Sequence, residues 1–128
     1  MSRTVLLIED NEQNRYLLSY LLSAHGWDVT TAVDGPSGLT LAQSLKPSLI
    51  LLDIQLPGMD GYSVAQALRA NPDLAATPVV AVTSFAMAGD RDRCLESGCS
   101  GYIEKPVDPE TFTAQIEEFL RMVPGPSR

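Results

Sequence analysis

Apolar residues in this chain alternate between short dense runs and longer stretches where they recur every three or four positions. Thr4-Val5-Leu6-Leu7-Ile8, Leu49-Ile50-Leu51-Leu52-Asp53 and Pro78-Val79-Val80-Ala81-Val82 are nearly continuous aliphatic runs. Runs of that length, bounded by charges, Pro or Gly, predict strands buried on both faces. Trp27-Asp28-Val29-Thr30-Thr31-Ala32 is less apolar and predicts an edge strand, and Gly101-Tyr102-Ile103-Glu104 a brief last one. Helices are predicted between them. The first follows Asn11 with Tyr16, Leu17, Tyr20, Leu21 and Ala24 on one stripe and stops at His25-Gly26. A second, after Asp34-Gly35-Pro36, turns Leu39, Leu41, Ala42 and Leu45 inward and ends at Lys46-Pro47. The third covers Tyr62 to Ala70, and a fourth of weak pattern lies within Phe85 to Ser97. Asp108-Pro109-Glu110 predicts a cap, a first-position proline and an acidic first turn for the fifth, with Phe112, Ile116, Phe119 and Leu120 inward. Tyr16, Tyr20, Phe112 and Phe119 are assigned to the core, and Trp27 to packing.

Five strand–helix alternations imply right-handed crossovers and a doubly wound α/β fold, a parallel sheet covered on both faces. With no internal repeat or low-complexity segment, the expectation is one domain over residues 1–123 and a tail or linker at 124–128.

Composition narrows the function classes. The 128 residues carry 16 acids against 9 bases, a formal charge of -7 without any basic block, so a polyphosphate backbone is repelled and direct nucleic-acid binding is not expected. No run approaches the roughly 20 apolar residues of a membrane span, and the start lacks the shape of a signal peptide; a cytoplasmic location is expected. Cys94 and Cys99 lack zinc-site spacing and are expected to be free thiols. His25 is the single histidine, which removes His-based nucleophile relays and metal clusters.

The chemistry lies where the apolar runs stop. In a parallel sheet the carboxyl ends of the strands share one rim, where such folds keep their ligand crevice. Glu9-Asp10, Asp53, Thr83 and Lys105 all stand at such ends. Like charges ~4 Å apart cost about 4 kcal/mol at an effective dielectric of ~20, so three clustered carboxylates imply a cation or divided pKa values. Oxygen ligands without histidine or thiolate select a hard ion, and a few carboxylates with water suit magnesium. The segment from Asp53 to Gly58 fails the EF-hand pattern, against calcium. A metal ion, a lysine, a hydroxyl and an exposed carboxylate make a phosphoryl-transfer site in which Asp53 takes and then loses a phosphoryl group.

Glu9-Asp10-Asn11, Leu52-Asp53-Ile54-Gln55-Leu56-Pro57-Gly58-Met59-Asp60-Gly61, Thr83-Ser84 and Lys105-Pro106, in that order and separation, resemble a bacterial two-component response-regulator receiver domain of the CheY-like superfamily. The resemblance runs from about Thr4 to Leu120, and Val82 to Asp90 is similar to DivK-like single-domain regulators and to the receivers of hybrid kinases. It implies a flavodoxin-like (βα)5 fold with strand order 2-1-3-4-5. It also implies that Asp53 is the phosphoacceptor, served by a sensor histidine kinase or a histidine phosphotransfer protein. Magnesium would be held by Asp10, Asp53 and the main-chain carbonyl of Gln55, with Glu9 acting through water. Lys105 would pair with the phosphoryl oxygens, its bond to Pro106 being cis. Thr83 would move its hydroxyl onto the phosphoryl group and Tyr102 would swing after it, altering the face of the fourth helix, fifth strand and fifth helix for a downstream protein target. The chain would be a monomer or weak dimer, and no enzyme beyond its own magnesium-dependent phosphorylation and dephosphorylation. Gln55 and Phe85 fall where the family flanks the route of attacking water, and Phe85 is expected to shield the acyl phosphate. The Gly58–Gly61 loop is expected to support the site without chemistry of its own.

Three other readings compete. A haloacid-dehalogenase-type phosphatase needs Asp-x-Asp near the first strand, whereas Gln55 stands two places after Asp53 on the third. A flavodoxin needs a hydroxyl-rich phosphate loop where Glu9-Asp10-Asn11-Glu12 is found. A pseudo-receiver that only binds partners has no need of the intact acidic set.

Overall fold

A computed structural model of the chain describes residues 3–56, 58–84 and 90–122. Its elements run β1 (Arg3–Ile8), α1 (Glu12–Ala24), β2 (Trp27–Ala32), α2 (Gly35–Leu45), β3 (Leu49–Asp53), α3 (Gly61–Ala70), β4 (Val79–Thr83), α4 (Asp90–Glu96), β5 (Gly101–Glu104) and α5 (Phe112–Met122). All strand pairings are parallel, in the order β2-β1-β3-β4-β5. β3 and β4 are buried at every position while β2 is mixed, as central and edge strands should be. Two apolar layers result. Leu6, Ile8, Ile50, Leu52 and Ala81 face α2, α3 and α4, and Val5, Leu7, Leu49, Leu51, Val80 and Val82 face α1 and α5.

Side-chain caps set the helix starts. Asn11 accepts from the Asn14 N–H at 2.9 Å, Asp34 from Ser37 at 2.8 Å and Asp60 from Ser63 at 2.9 Å. That bond holds the Asp34 carboxyl below the usual carboxylate range. Pro36 sits in the first turn of α2, the place its fixed φ suits. The α5 cap falls differently. Asp108 accepts the Glu110 N–H on its side chain and the Thr111 and Phe112 N–H groups on its carbonyl. Pro109 and Glu110 thus form a turn, and the helix proper begins at Phe112.

The α1 stripe is corrected by the structure. Tyr16 is 76% exposed and Tyr20 64%, Leu17 and Ala24 also face water, and Leu18, Leu21 and Leu22 are the buried face. In α2, Ala42 is buried with Gly35 and Gly38, Leu39 and Leu41 are half-buried, and Leu45 is exposed. Gly38 lets β1 approach, since a Cβ there would lie 2.5 Å from Ile8 Cδ1. Leu22→Ala is expected to cost 2–5 kcal/mol, and Tyr16→Ser within about 0.5 kcal/mol, in urea unfolding.

Cys94 and Cys99 are buried free thiols, the Cys99 thiol pushed up to about 12 by burial and by Cys94. His25 Nδ1 lies 3.0 Å from the Leu21 carbonyl. Trp27 is buried with the Arg3 guanidinium 4.0 Å from its ring centroid. No described helix is long and apolar enough to cross a membrane. The tail at 124–128 and the Phe85 expectation lie outside the described residues.

Candidate phosphoryl-transfer and cation site

Register brings the polar strand ends together. Ile8 pairs with Leu52, so Glu9, one residue further, comes alongside Asp53. Asp53 pairs with Val82 and Thr83 with Glu104, which puts Thr83 and Lys105 one step beyond at the same rim. The Lys105 N–H donates to the Thr83 carbonyl at 2.8 Å, extending the ladder to the lysine. The Lys105–Pro106 bond is cis.

The three carboxylates converge as expected. Ligand oxygens of Glu9, Asp10 and Asp53 lie within 4.8 Å of one another. Glu9 and Asp53 are buried at 1% and 4% exposure, while Asp10 is exposed. Lys105 Nζ stands 2.7 Å from Glu9 Oε1 and 3.4 Å from Asp53 Oδ2. Main-chain N–H groups hold the other oxygens: Asn11 donates to Glu9 Oε2 at 3.2 Å and Gln55 to Asp53 Oδ1 at 3.0 Å.

One ammonium does not balance three acids in a desolvated site. Burial and the neighbouring Glu9 push the Asp53 carboxyl up to about 7, against the opposing pull of the Gln55 N–H and Lys105. A carboxylate this strained is relieved by a second cation. The donor set is entirely oxygen, is compact and opens on one side, which fits a hard divalent ion that keeps part of its water shell.

A cleft of about 500 Å³ opens over Asp53, lined by Glu9, Asp10, Asn11, Asn14, Gln55, Ser84, Lys105 and Pro106. Ser84 Oγ donates to Gln55 Oε1 at 2.5 Å across its mouth. Residues 29 positions apart give no sequence signal for such a bond. Thr83 is buried at the end of β4 beside the cleft and outside its lining. Tyr102 is half-buried, packed on the layer beneath α2, α3 and α4, and also outside the lining. The structure therefore gathers Glu9, Asp10, Asp53, Gln55 and Lys105 into one cleft and leaves Thr83 and Tyr102 beside it.

Comparison with known proteins agrees with this geometry. Residues 5–117 match the response regulator receiver domain family. The polar-differentiation response regulator DivK of Brucella anthropi is 40% identical over 120 residues, covering 94% of this chain and 98% of that protein. The chemotaxis response regulator CheY4 of Vibrio cholerae superposes with a TM-score of 0.88 at 27% identity, over 93% of this chain and 99% of that one. The receiver domain of the sensor histidine kinase PA1611 of Pseudomonas aeruginosa gives 0.86 at 30% identity, over 94% and 99%, and in that structure a magnesium ion is coordinated in the active-site cleft.

Proposed function

We propose that this chain, which belongs to the response regulator receiver domain family and is a receiver domain of two-component signalling, accepts a phosphoryl group on Asp53. The supporting observation is the meeting of Asp53 with two further acids and a lysine at the floor of an open cleft. A sensor histidine kinase or histidine phosphotransfer protein is the donor. An Asp53 carboxylate oxygen attacks the phosphorus in line, the bond from phosphorus to the donor imidazole nitrogen breaks, and that nitrogen keeps the electron pair. Asp10, Asp53 and the Gln55 main-chain carbonyl, with Glu9 acting through water, would hold magnesium, which would supply neutralising charge for the transferring oxygens. Lys105, shared between Glu9 and Asp53 in the resting protein, turns to a phosphoryl oxygen.

The Gln55 N–H holds Asp53 Oδ1, which leaves Oδ2, faced by Lys105 at 3.4 Å in the resting protein, as the attacking oxygen. Once the phosphoryl group is in place, Thr83 brings its hydroxyl to it and Tyr102 follows inward. The altered face of α4, β5 and α5 is then read by a downstream protein, a two-state element biased by one local charge. The receiver acts in the cytoplasm as a monomer or weak dimer, without direct nucleic-acid contact. It turns over no substrate apart from its own phosphoryl group. The family match and the convergent acids leave the phosphatase, flavoprotein and binding-only readings unsupported.

Incubation with acetyl phosphate and magnesium chloride, followed by intact-protein mass spectrometry, is expected to show a gain of one phosphoryl group that disappears in Asp53→Asn. An adduct that survives the substitution, or no adduct in the wild-type protein, would overturn the assignment.

A further inference from the structure

Arg15 lies on α1, outside the lining of the cleft, yet its guanidinium reaches back to the acid pair. Its Nη1 donates to the Glu9 carbonyl at 3.1 Å and to the Asp10 carbonyl at 3.0 Å. Consecutive side chains of a strand point to opposite faces, so two adjacent acids reach one cation only if the backbone leaves the strand at that point. β1 ends at Ile8, and the Glu9 N–H makes a last bond to the Ala32 carbonyl. Beyond it the Glu9 and Asp10 carbonyls have left the ladder; the first is part-buried and needs a donor, while the second faces water and is held only if a donor is fixed beside it. Arg15 supplies both from one nitrogen, while its own N–H bonds the Asn11 carbonyl and anchors it in the first turn of α1.

We infer that Arg15 is a positioning residue for the cation site: by clamping both carbonyls it holds the turn in which the Glu9 and Asp10 carboxylates converge on Asp53. This rests on the cation-site reading above and extends it to a residue that touches no ligand oxygen.

Two physical effects of Arg15 have opposite signs. Its positive charge beside an acidic site opposes a second cation, so if charge alone mattered, removing it would tighten magnesium binding. If the clamp matters, removal loosens the turn and weakens binding. Loss of a group that orients metal ligands typically costs 10–100-fold in affinity.

The test is calorimetric titration of the full chain with magnesium chloride, at a temperature where circular dichroism shows each variant folded. Arg15→Met is expected to weaken binding about tenfold, and Arg15→Lys, whose ammonium can bridge two carbonyls, to recover most of the loss. Arg121→Met, the same charge removed near the far end of α5, controls for net charge and should bind as wild type does. Tighter or unchanged binding in Arg15→Met overturns the inference, as does a loss of equal size in Arg15→Lys. If wild-type protein binds magnesium no better than Asp53→Asn, the cation-site reading fails and takes this one with it. If binding weakens as expected but Asp53 takes no phosphoryl group, the clamp stands and only the transfer assignment falls.

Discussion

Asp53→Asn is expected to stabilise the metal-free protein at pH 8 by up to roughly 4 kcal/mol and to leave its stability at pH 4 almost unchanged. The folded protein raises the Asp53 carboxyl from 3.8 to about 7. Between those values the native state binds a proton that the unfolded chain has released. Stability carried by this group is therefore complete below about pH 4 and is lost as pH rises through 7, the reverse of the acid denaturation usual for paired carboxylates. Each tenfold change in proton affinity is worth about 1.4 kcal/mol, which sets the upper figure. Asparagine keeps an oxygen for the Gln55 N–H and carries no charge to bury. Magnesium chloride added at pH 8 should recover much of the lost stability in the wild type and little in the variant. Urea unfolding in EDTA and in magnesium, at pH 4 and pH 8, measures all of this. Equal midpoints for the two proteins in EDTA at pH 8 would show that the buried acid cluster carries no strain.

The rim was legible because strands in a parallel sheet advertise their ends. Leu49–Asp53 is apolar until a single carboxylate, and the structure ends β3 at that residue. Trp27–Ala32 and Gly101–Glu104 were bounded as sharply. The α1 face was not legible, for a reason visible in its composition. Tyr16, Leu17, Leu18, Tyr20, Leu21 and Leu22 put apolar groups on two sides of one helix, so the expected Tyr16-Leu17-Tyr20-Leu21-Ala24 stripe and the buried Leu18-Leu21-Leu22 face, which share only Leu21, both satisfy helical spacing. Which stripe turns inward is set by packing against β1, β2 and α5, where Leu18, Leu21 and Leu22 join Val5, Leu7, Trp27 and Ile116, and periodicity does not record that. Asp108-Pro109 misled in another way. The cap chemistry is present, but the bonds it makes close a turn before the helix. Arg15 left no signal that could be read alone, since an arginine five residues after Asp10 becomes a clamp only when the intervening turn folds back on it.

Gly61→Ala is expected to cost about 3 kcal/mol and to slow phosphorylation of Asp53, through a single methyl group. Gly61 opens α3 just after the Asp60 cap, and its N–H donates to the Ile54 carbonyl at 2.9 Å. A Cβ there would collide with Ile54 Cα and come within 2.8 Å of the Asp53 carbonyl oxygen. These are backbone atoms, which cannot rotate aside as a flexible side chain would, so either the start of α3 or the end of β3 must move. Overpacking of this kind costs 1–3 kcal/mol or more. Here the displaced strand end carries Asp53 and leads into the Gln55 N–H that orients its carboxylate, so stability and labelling should fall together. Gly26→Ala gives the contrast. Gly26 has a φ of +88° with open space around the missing Cβ, and it precedes β2 at the other end of the sheet. Alanine there should cost about 1 kcal/mol from its backbone conformation and leave the labelling rate unchanged. Unfolding midpoints and the rate of mass gain with acetyl phosphate and magnesium, measured on both variants, separate the two effects. Full labelling speed in Gly61→Ala would mean that the end of β3 tolerates displacement, and that Asp53 is held by its own hydrogen bonds and ion pair without help from the α3 junction.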